Sequence, residues 1–165
     1  MKTFNRLYIS LILLSSLTLA TDKSYAFLGI QTSVASIQNK AVPTIGLKYG
    51  VQTRKYRTAL SYNYAQNSQN RYQTVIMQMD TGIFSNLFRE YLIKPYAGLS
   101  FGVMEEKNRI SSLSDRGYLY GANLGLAYIY NDALDFDVGY RYLQTSKFKE
   151  LKSLSDLTLS MHYFY

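Results

Sequence analysis

The sequence predicts an all-β chain, an eight-stranded antiparallel up-and-down barrel that spans a membrane. Three observations carry this. Alternation of period two recurs from residue 28 to the last residue, while helical periodicity is scarce. Tyrosine is abundant, at 17 residues, and collects near the ends of the alternating segments, whereas proline occurs only at Pro43 and Pro95. The final stretch, 155–165, sets Leu157, Leu159, Met161, Tyr163 and Tyr165 on one face and stops on an aromatic residue. A membrane barrel needs such a closing strand, because its last strand pairs with its first to leave no open edge in lipid.

Residues 1–26 are expected to be a cleaved signal peptide, and 27–165 the barrel domain. Lys2 and Arg6 precede an apolar run over 7–20, and Ser24-Tyr25-Ala26 is a small-x-small cleavage site, with Phe27 the expected first mature residue. The apolar run falls short of the ~20 residues a spanning helix requires. With no cysteine, both a lipidated N-terminal Cys and disulfides are excluded. Loss of Lys2, Arg6, Lys23 and Asp22 would lower the formal charge from +7 to about +5, a mild basic excess compatible with anionic partners.

Eight alternating segments follow, at 28–36, 44–52, 56–65, 72–84, 94–104, 117–130, 134–142 and 155–165. The first sets Leu28, Ile30, Thr32 and Val34 against Gly29, Gln31, Ser33 and Ala35; the second sets Ile45, Leu47, Tyr49 and Val51 against Gly46, Lys48 and Gly50. In the third, Tyr56, Leu60, Tyr62 and Tyr64 oppose Arg57, Ala59, Ser61 and Asn63. In the fourth, Val75, Met77 and Met79 oppose Ile76, Gln78 and Asp80. The fifth places Ala97, Leu99, Phe101 and Val103 opposite Tyr96, Gly98, Ser100 and Gly102. The sixth is the most regular, running from Tyr118 to Tyr130 against Gly117, Leu119, Gly121, Asn123, Gly125 and Ala127. The seventh opposes Phe136, Val138, Tyr140 and Tyr142 to Asp135, Asp137, Gly139 and Arg141. The pattern is weak in each segment and cumulative over eight.

Connection lengths orient the barrel. With a periplasmic N-terminus, the turns at 53–55, 85–93 and 131–133 face inside the cell envelope, and loops at 37–43, 66–71, 105–116 and 143–154 face out. Short inner turns and longer outer loops are the expected asymmetry. The 85–93 connection is the exception, and an interfacial helical turn is expected there around Leu87, Phe88 and Tyr91. Alternation alone also fits a soluble barrel of lipocalin type, with the apolar face inside. The membrane assignment rests on the polar face being rich in Gly, Ala and Ser, which suits a narrow interior, and on its charges being of both signs.

Lys94-Pro95-Tyr96-Ala97-Gly98-Leu99-Ser100-Phe101-Gly102, Asp135-Phe136-Asp137-Val138-Gly139-Tyr140-Arg141-Tyr142 and the aromatic closing strand follow one another in a telling order and spacing. They resemble the small OmpA-type outer-membrane β-barrel family, which includes opacity-type surface antigens and other porin-family barrels. The resemblance implies the outer membrane of a Gram-negative bacterium. It also implies recognition by the barrel-assembly machinery through Leu159, Met161, Tyr163 and Tyr165. No peptidoglycan-binding domain is expected after the barrel, and Tyr165 stands where Phe is more usual.

Interior charges are the first candidate site: Arg57, Asp80, Lys48, Asp135, Asp137 and Arg141. Centring the hairpin turn on 66–71 sets Arg57 directly opposite Asp80, so an Arg57–Asp80 ion pair is expected, with a second cluster joining Arg141 to Asp137 or Asp135. These charges are expected to plug the barrel, since eight strands leave room only for side chains; a narrow porin-like channel is the alternative. His162, the single histidine, shares a face with Ser160, but neighbours on one face of a strand lie ~7 Å apart, marginal for a nucleophile and its base. No catalytic residue, metal site or cofactor is therefore expected, and a lipid-modifying enzyme is the less favoured reading. At the outer loops, Lys147, Lys149 and Lys152 form a basic patch suited to lipopolysaccharide phosphates or anionic host molecules. No nucleic-acid motif appears, and a monomer is expected.

Overall fold

The computed structural model describes residues 24–37, 40–53, 55–82, 92–109, 113–148 and 151–165. They form eight strands: β1 (Tyr25–Ile37), β2 (Lys40–Gln52), β3 (Tyr56–Gln66), β4 (Asn70–Thr81), β5 (Ile93–Asn108), β6 (Ser114–Asn131), β7 (Leu134–Ser146) and β8 (Ser153–Phe164). Each pairs antiparallel with the next, and β8 returns to β1, closing the barrel. Along that seam Leu28 faces Tyr163 and Phe27 faces Phe164, and the Tyr165 amide donates to the Ala26 carbonyl at 3.1 Å. No sheet edge is left to satisfy.

Tyr25, where β1 begins, and Tyr165 lie at one end of the barrel, called here the terminal end; the opposite, loop end carries the connections after β1, β3, β5 and β7. The strands reach further toward the loop end than alternation predicts. β2 starts at Lys40, β5 runs to Asn108, β6 starts at Ser114 and β7 ends at Ser146. Pairs such as Lys107 with Ser114, and the Asn108 amide donating to Leu113 at 2.9 Å, continue the ladder where both faces are polar. Period-two hydrophobicity vanishes there although hydrogen bonding continues. At the terminal end, Thr53 closes a tight turn: its hydroxyl accepts from the Tyr56 amide at 3.0 Å, and its own amide donates to the Tyr56 carbonyl at 2.7 Å. The expected helical turn at Leu87, Phe88 and Tyr91 lies outside the described residues, as do residues 1–23 of the expected signal peptide.

The faces decide the solvent. Ile45 and Leu47 are 67% and 60% exposed on the outside, whereas Lys48 and Asp137 are 3% and 1% exposed inside. A water-soluble barrel has this arrangement reversed; an apolar exterior around a polar interior is what hydrocarbon demands. Glycines make room for the larger interior groups at two places. A Cβ on Gly125 or on its cross-strand partner Gly139 would stand 2.5 Å from the Tyr96 hydroxyl, and one on Gly50 would meet the Phe27 ring at 2.6 Å.

Candidate functional site

The interior is built in two layers. Toward the terminal end, side chains from β2, β3, β4, β7 and β8 converge on one charge network. The Arg57 Nη1 donates to Asp137 Oδ2 at 2.9 Å, and its Nε lies 3.9 Å from Asp80 Oδ2. Lys48 Nζ stands 3.8 Å from the same Asp137 oxygen and donates to Ser160 Oγ at 3.3 Å. His162 Nδ1 is 2.6 Å from Asp135 Oδ1, and its ring meets that of Phe27 at a 56° tilt, 4.7 Å between centroids. Asp80 also accepts from Gln78 Nε2 on both oxygens, at 3.0 and 2.9 Å, and from Asn123 Nδ2 at 2.5 Å. The Arg57 guanidinium lies 5.1 Å from the Tyr96 ring centroid. Every one of these side chains is buried. Enclosed charges of this kind are held by one another and by hydrogen bonds, since none can reach bulk water.

The register sets Arg57 opposite Asp80. Asp137, across the lumen, is nevertheless the closer partner of Arg57, because antiparallel neighbours point side by side into the lumen and a long guanidinium spans it. The second expected cluster is corrected. Arg141 pairs with neither Asp137 nor Asp135 but with Asp156, bidentate at 3.1 Å from Nε and 2.6 Å from Nη2. Asp156 lies directly opposite Arg141 on β8 and inside the barrel, not at the loop rim.

Toward the loop end the interior turns apolar. Ile37, Val42, Tyr72, Ile76, Met104, Leu119, Leu143 and Leu154 line it, Leu151 from the β7–β8 connection closes it, and Phe148 packs on top. An interior packed throughout by paired charges therefore describes only half of the barrel. Between the layers, a void lined by Asn63, Ile76, Met104, Arg141 and Asp156 among others has a volume of only ≈ 30 Å³, room for no more than a few waters.

No family model and no curated protein matches the sequence. Solved structures do match. Neisserial surface protein A superposes with a TM-score of 0.68 at 16% identity, covering 86% of this chain and 97% of that one. The outer membrane protein OprH from P. aeruginosa gives 0.62 at 21% identity, covering 86% and 99%. The fold is that of the small outer-membrane β-barrels. The outer membrane enzyme PagL also shares it, with a TM-score of 0.51 at 13% identity over 82% of this chain and 98% of that one, so the architecture alone does not separate enzymes from other barrels.

Side-chain placement bears on that separation. Ser160 and His162 sit inside the barrel, 2% and 0% exposed, and Asp135 supplies a carboxylate at hydrogen-bonding distance from the histidine. The constellation lacks a nucleophile–base contact: Ser160 Oγ accepts from Lys48, and His162 Nε2 has no hydrogen-bond partner among the described residues. Both side chains are shut off from the lipid face.

On the outside, Leu159, Met161 and Tyr163 form the lipid-facing row of β8, and Tyr165 follows it, 70% exposed. Of the basic patch, Lys147 and Lys152 are exposed at the loop end, and Lys149 lies outside the described residues. Lys147 has a left-handed backbone, φ 75°, a conformation costing roughly 1–2 kcal/mol for a residue with a Cβ. Alternation along β7 would carry Lys147 inward after Leu143 and Thr145, onto the apolar layer. The left-handed turn instead brings its ammonium to 4.7 Å from the Tyr118 ring centroid on the outer face. The same turn lays the Phe148 ring against Gly117, whose absent Cβ would stand 2.4 Å from it.

Proposed function

We propose that the protein is a non-catalytic, non-conducting barrel of the Gram-negative outer membrane, presenting its loop end at the cell surface as an antigen or adhesin does. The observation that supports this reading is the double closure of the interior: a charge network tied by ion pairs below, an apolar layer above, and, among the described residues, a void of ≈ 30 Å³ between them. A permeating ion would have to displace buried ion pairs and then cross a hydrocarbon-like layer, each a step of high cost. Closure of all eight strands leaves no free edge, which supports a monomer. Membrane lipid and lipopolysaccharide surround the barrel in this reading, and host surface molecules meet its loop end. Fractionation with a heat-modifiability gel, followed by planar-bilayer recording of the purified barrel, tests it. The expected result is an outer-membrane protein whose unheated band migrates faster and which gives no discrete conductance. Stable channel steps would replace this reading with the porin-like one; a soluble periplasmic protein would end the membrane assignment.

The closing strand has a second role in this proposal, as the address read by the barrel-assembly machinery through Leu159, Met161, Tyr163 and Tyr165. Beyond the last strand pair, Phe27 with Phe164, Tyr165 adds one backbone hydrogen bond to the seam, so most of the closure does not depend on it. Deleting Tyr165 is expected to reduce the folded barrel in cells several-fold while leaving refolding from urea into lipid vesicles intact. Equal losses in both assays would make Tyr165 a seam residue and not an address.

A further inference from the structure

The strand register assembles a second surface feature that the double closure does not involve. Tyr62 pairs with Val75, Val75 with Val103, and Val103 with Tyr118, so four outward side chains on β3 to β6 form one transverse apolar row. The next outward row toward the loop end is polar. Tyr64 pairs with Gln73, Gln73 with Glu105, and Glu105 with Arg116. These rows wall an open groove of ≈ 720 Å³ on the outer face, headed by Arg116 and Lys147. An apolar floor beneath a basic head is the arrangement of an amphiphile site, and it lies where the exterior passes from hydrocarbon-facing to polar residues.

Two features make the head more than a solvated rim. Lys147 reaches it only through its left-handed backbone, and its ammonium is fixed against Tyr118 at 4.7 Å. Arg116, 76% exposed, is held by Glu105 at 3.0 Å, which leaves most of its guanidinium donors facing outward. Two cations against one carboxylate leave the head with net positive charge, complementary to a phosphate that a planar guanidinium and an ammonium can grip together.

We propose that this groove binds a phosphorylated acyl lipid of the surrounding outer leaflet, its phosphate held by Arg116 and Lys147 and its first acyl chain laid along Tyr62, Val75, Val103 and Tyr118. The proposal rests on the outer-membrane reading above. It moves the phosphate contact from the loop patch to the barrel wall, with Lys147 the one residue common to both.

The test titrates the full-length folded barrel in detergent micelles with diphosphoryl lipid A and, separately, with the same lipid dephosphorylated. The wild type is expected to prefer the phosphorylated form, and Arg116→Glu/Lys147→Glu to weaken its binding by about tenfold or more, the scale of losing charge-assisted contacts. Tyr118→Leu is expected to weaken it too, by releasing Lys147, whereas Lys40→Glu, a charge reversal elsewhere on the loop end, leaves it unchanged. No preference between the two lipids, or an equal loss in Lys40→Glu, would overturn the site in favour of general rim electrostatics. Should the charge reversals fail to fold, Arg116→Gln/Lys147→Gln carries the same comparison. Failure of the wild type to give a heat-modifiable band in lipid would instead overturn the outer-membrane reading, and is seen independently of any titration.

Discussion

Replacing Arg57 by Met is expected to lower the folding stability of the barrel by roughly 3–5 kcal/mol, the usual cost of removing one partner from a buried ion pair. Arg57 touches four elements of the network: Asp137 at 2.9 Å, the His162 Nδ1 at 3.2 Å, Asp80 at 3.9 Å and the Tyr96 ring at 5.1 Å. Among the described residues, the interior holds three Lys or Arg side chains, Lys48, Arg57 and Arg141, against four carboxylates, Asp80, Asp135, Asp137 and Asp156. Removing Arg57 leaves two against four among the described residues, and Asp137 keeps Lys48 at 3.8 Å and the His162 ring at 3.7 Å as its neighbours. Methionine keeps much of the apolar stem while removing the guanidinium, so the loss reports chiefly the charge and its hydrogen bonds. Urea unfolding of barrels refolded in vesicles measures it. A second variant, Arg57→Met/Asp137→Leu, is expected to recover part of the loss, because removing both partners leaves fewer unpaired groups. A loss below about 1 kcal/mol would mean that water reaches the network and screens it, which is the behaviour of a channel and not of a plug.

The two interior layers fall to different physics. The charge network depends on pairing and is specific: its members come from five strands, so it also fixes which strand faces which across the lumen. The apolar layer depends on exclusion of water and is nondirectional. Joined in series, in the proposed reading, they close the barrel to polar solutes through the lower layer's occupancy and to ions through the upper layer's low polarity. This is why the interior, although rich in ionisable groups, supports no conduction in the proposed reading.

Much of the fold could be read from the sequence because a membrane barrel imposes one rule on every strand, apolar out and polar or small in, from Leu28 to Tyr163. The rule loses force at both ends of the lumen. Toward the loop end, at 105–108 and 114–117, both faces are polar and the ladder continues without a periodic signal. At the loop end of the lumen, Ile76, Met104, Leu119, Leu143 and Leu154 are apolar on the inner face, so a reading that equates inner with polar does not find the seal. Parity alone places them inside. The same applies to the Arg141–Asp156 pair. Centring the last hairpin on 143–154, like the turn at 66–71, sets these two residues opposite one another, so that pair too is carried by parity and register. The partner of Arg57 across the lumen, and the left-handed turn at Lys147, had no such local signal. The first depends on how eight strands close, the second on one backbone dihedral in a residue type that rarely adopts it.

Leu143→Ala is the counterpart test for the apolar layer, and the expected loss is roughly 2–5 kcal/mol, transfer of the lost carbons plus the cavity they leave. Leu143 is fully buried and projects inward near the loop end of β7, opposite Gly121 on β6 and Leu154 on β8 and in one apolar cluster with Leu119. Closure of the barrel prevents these strands from moving inward to fill the gap, which places the cost toward the upper part of that range. The variant is nonetheless expected to stay silent in planar bilayers, since Arg57, Asp137, Lys48 and Asp80 still occupy the lumen below. Stability and conduction are therefore expected to separate: unfolding at a lower urea concentration, with an unchanged baseline current. Discrete conductance from Leu143→Ala alone would show that the apolar layer is the only barrier and that ions already pass the charge network. The double closure would then reduce to a single gate at the loop end, and the porin-like reading would follow with Leu143 at its constriction.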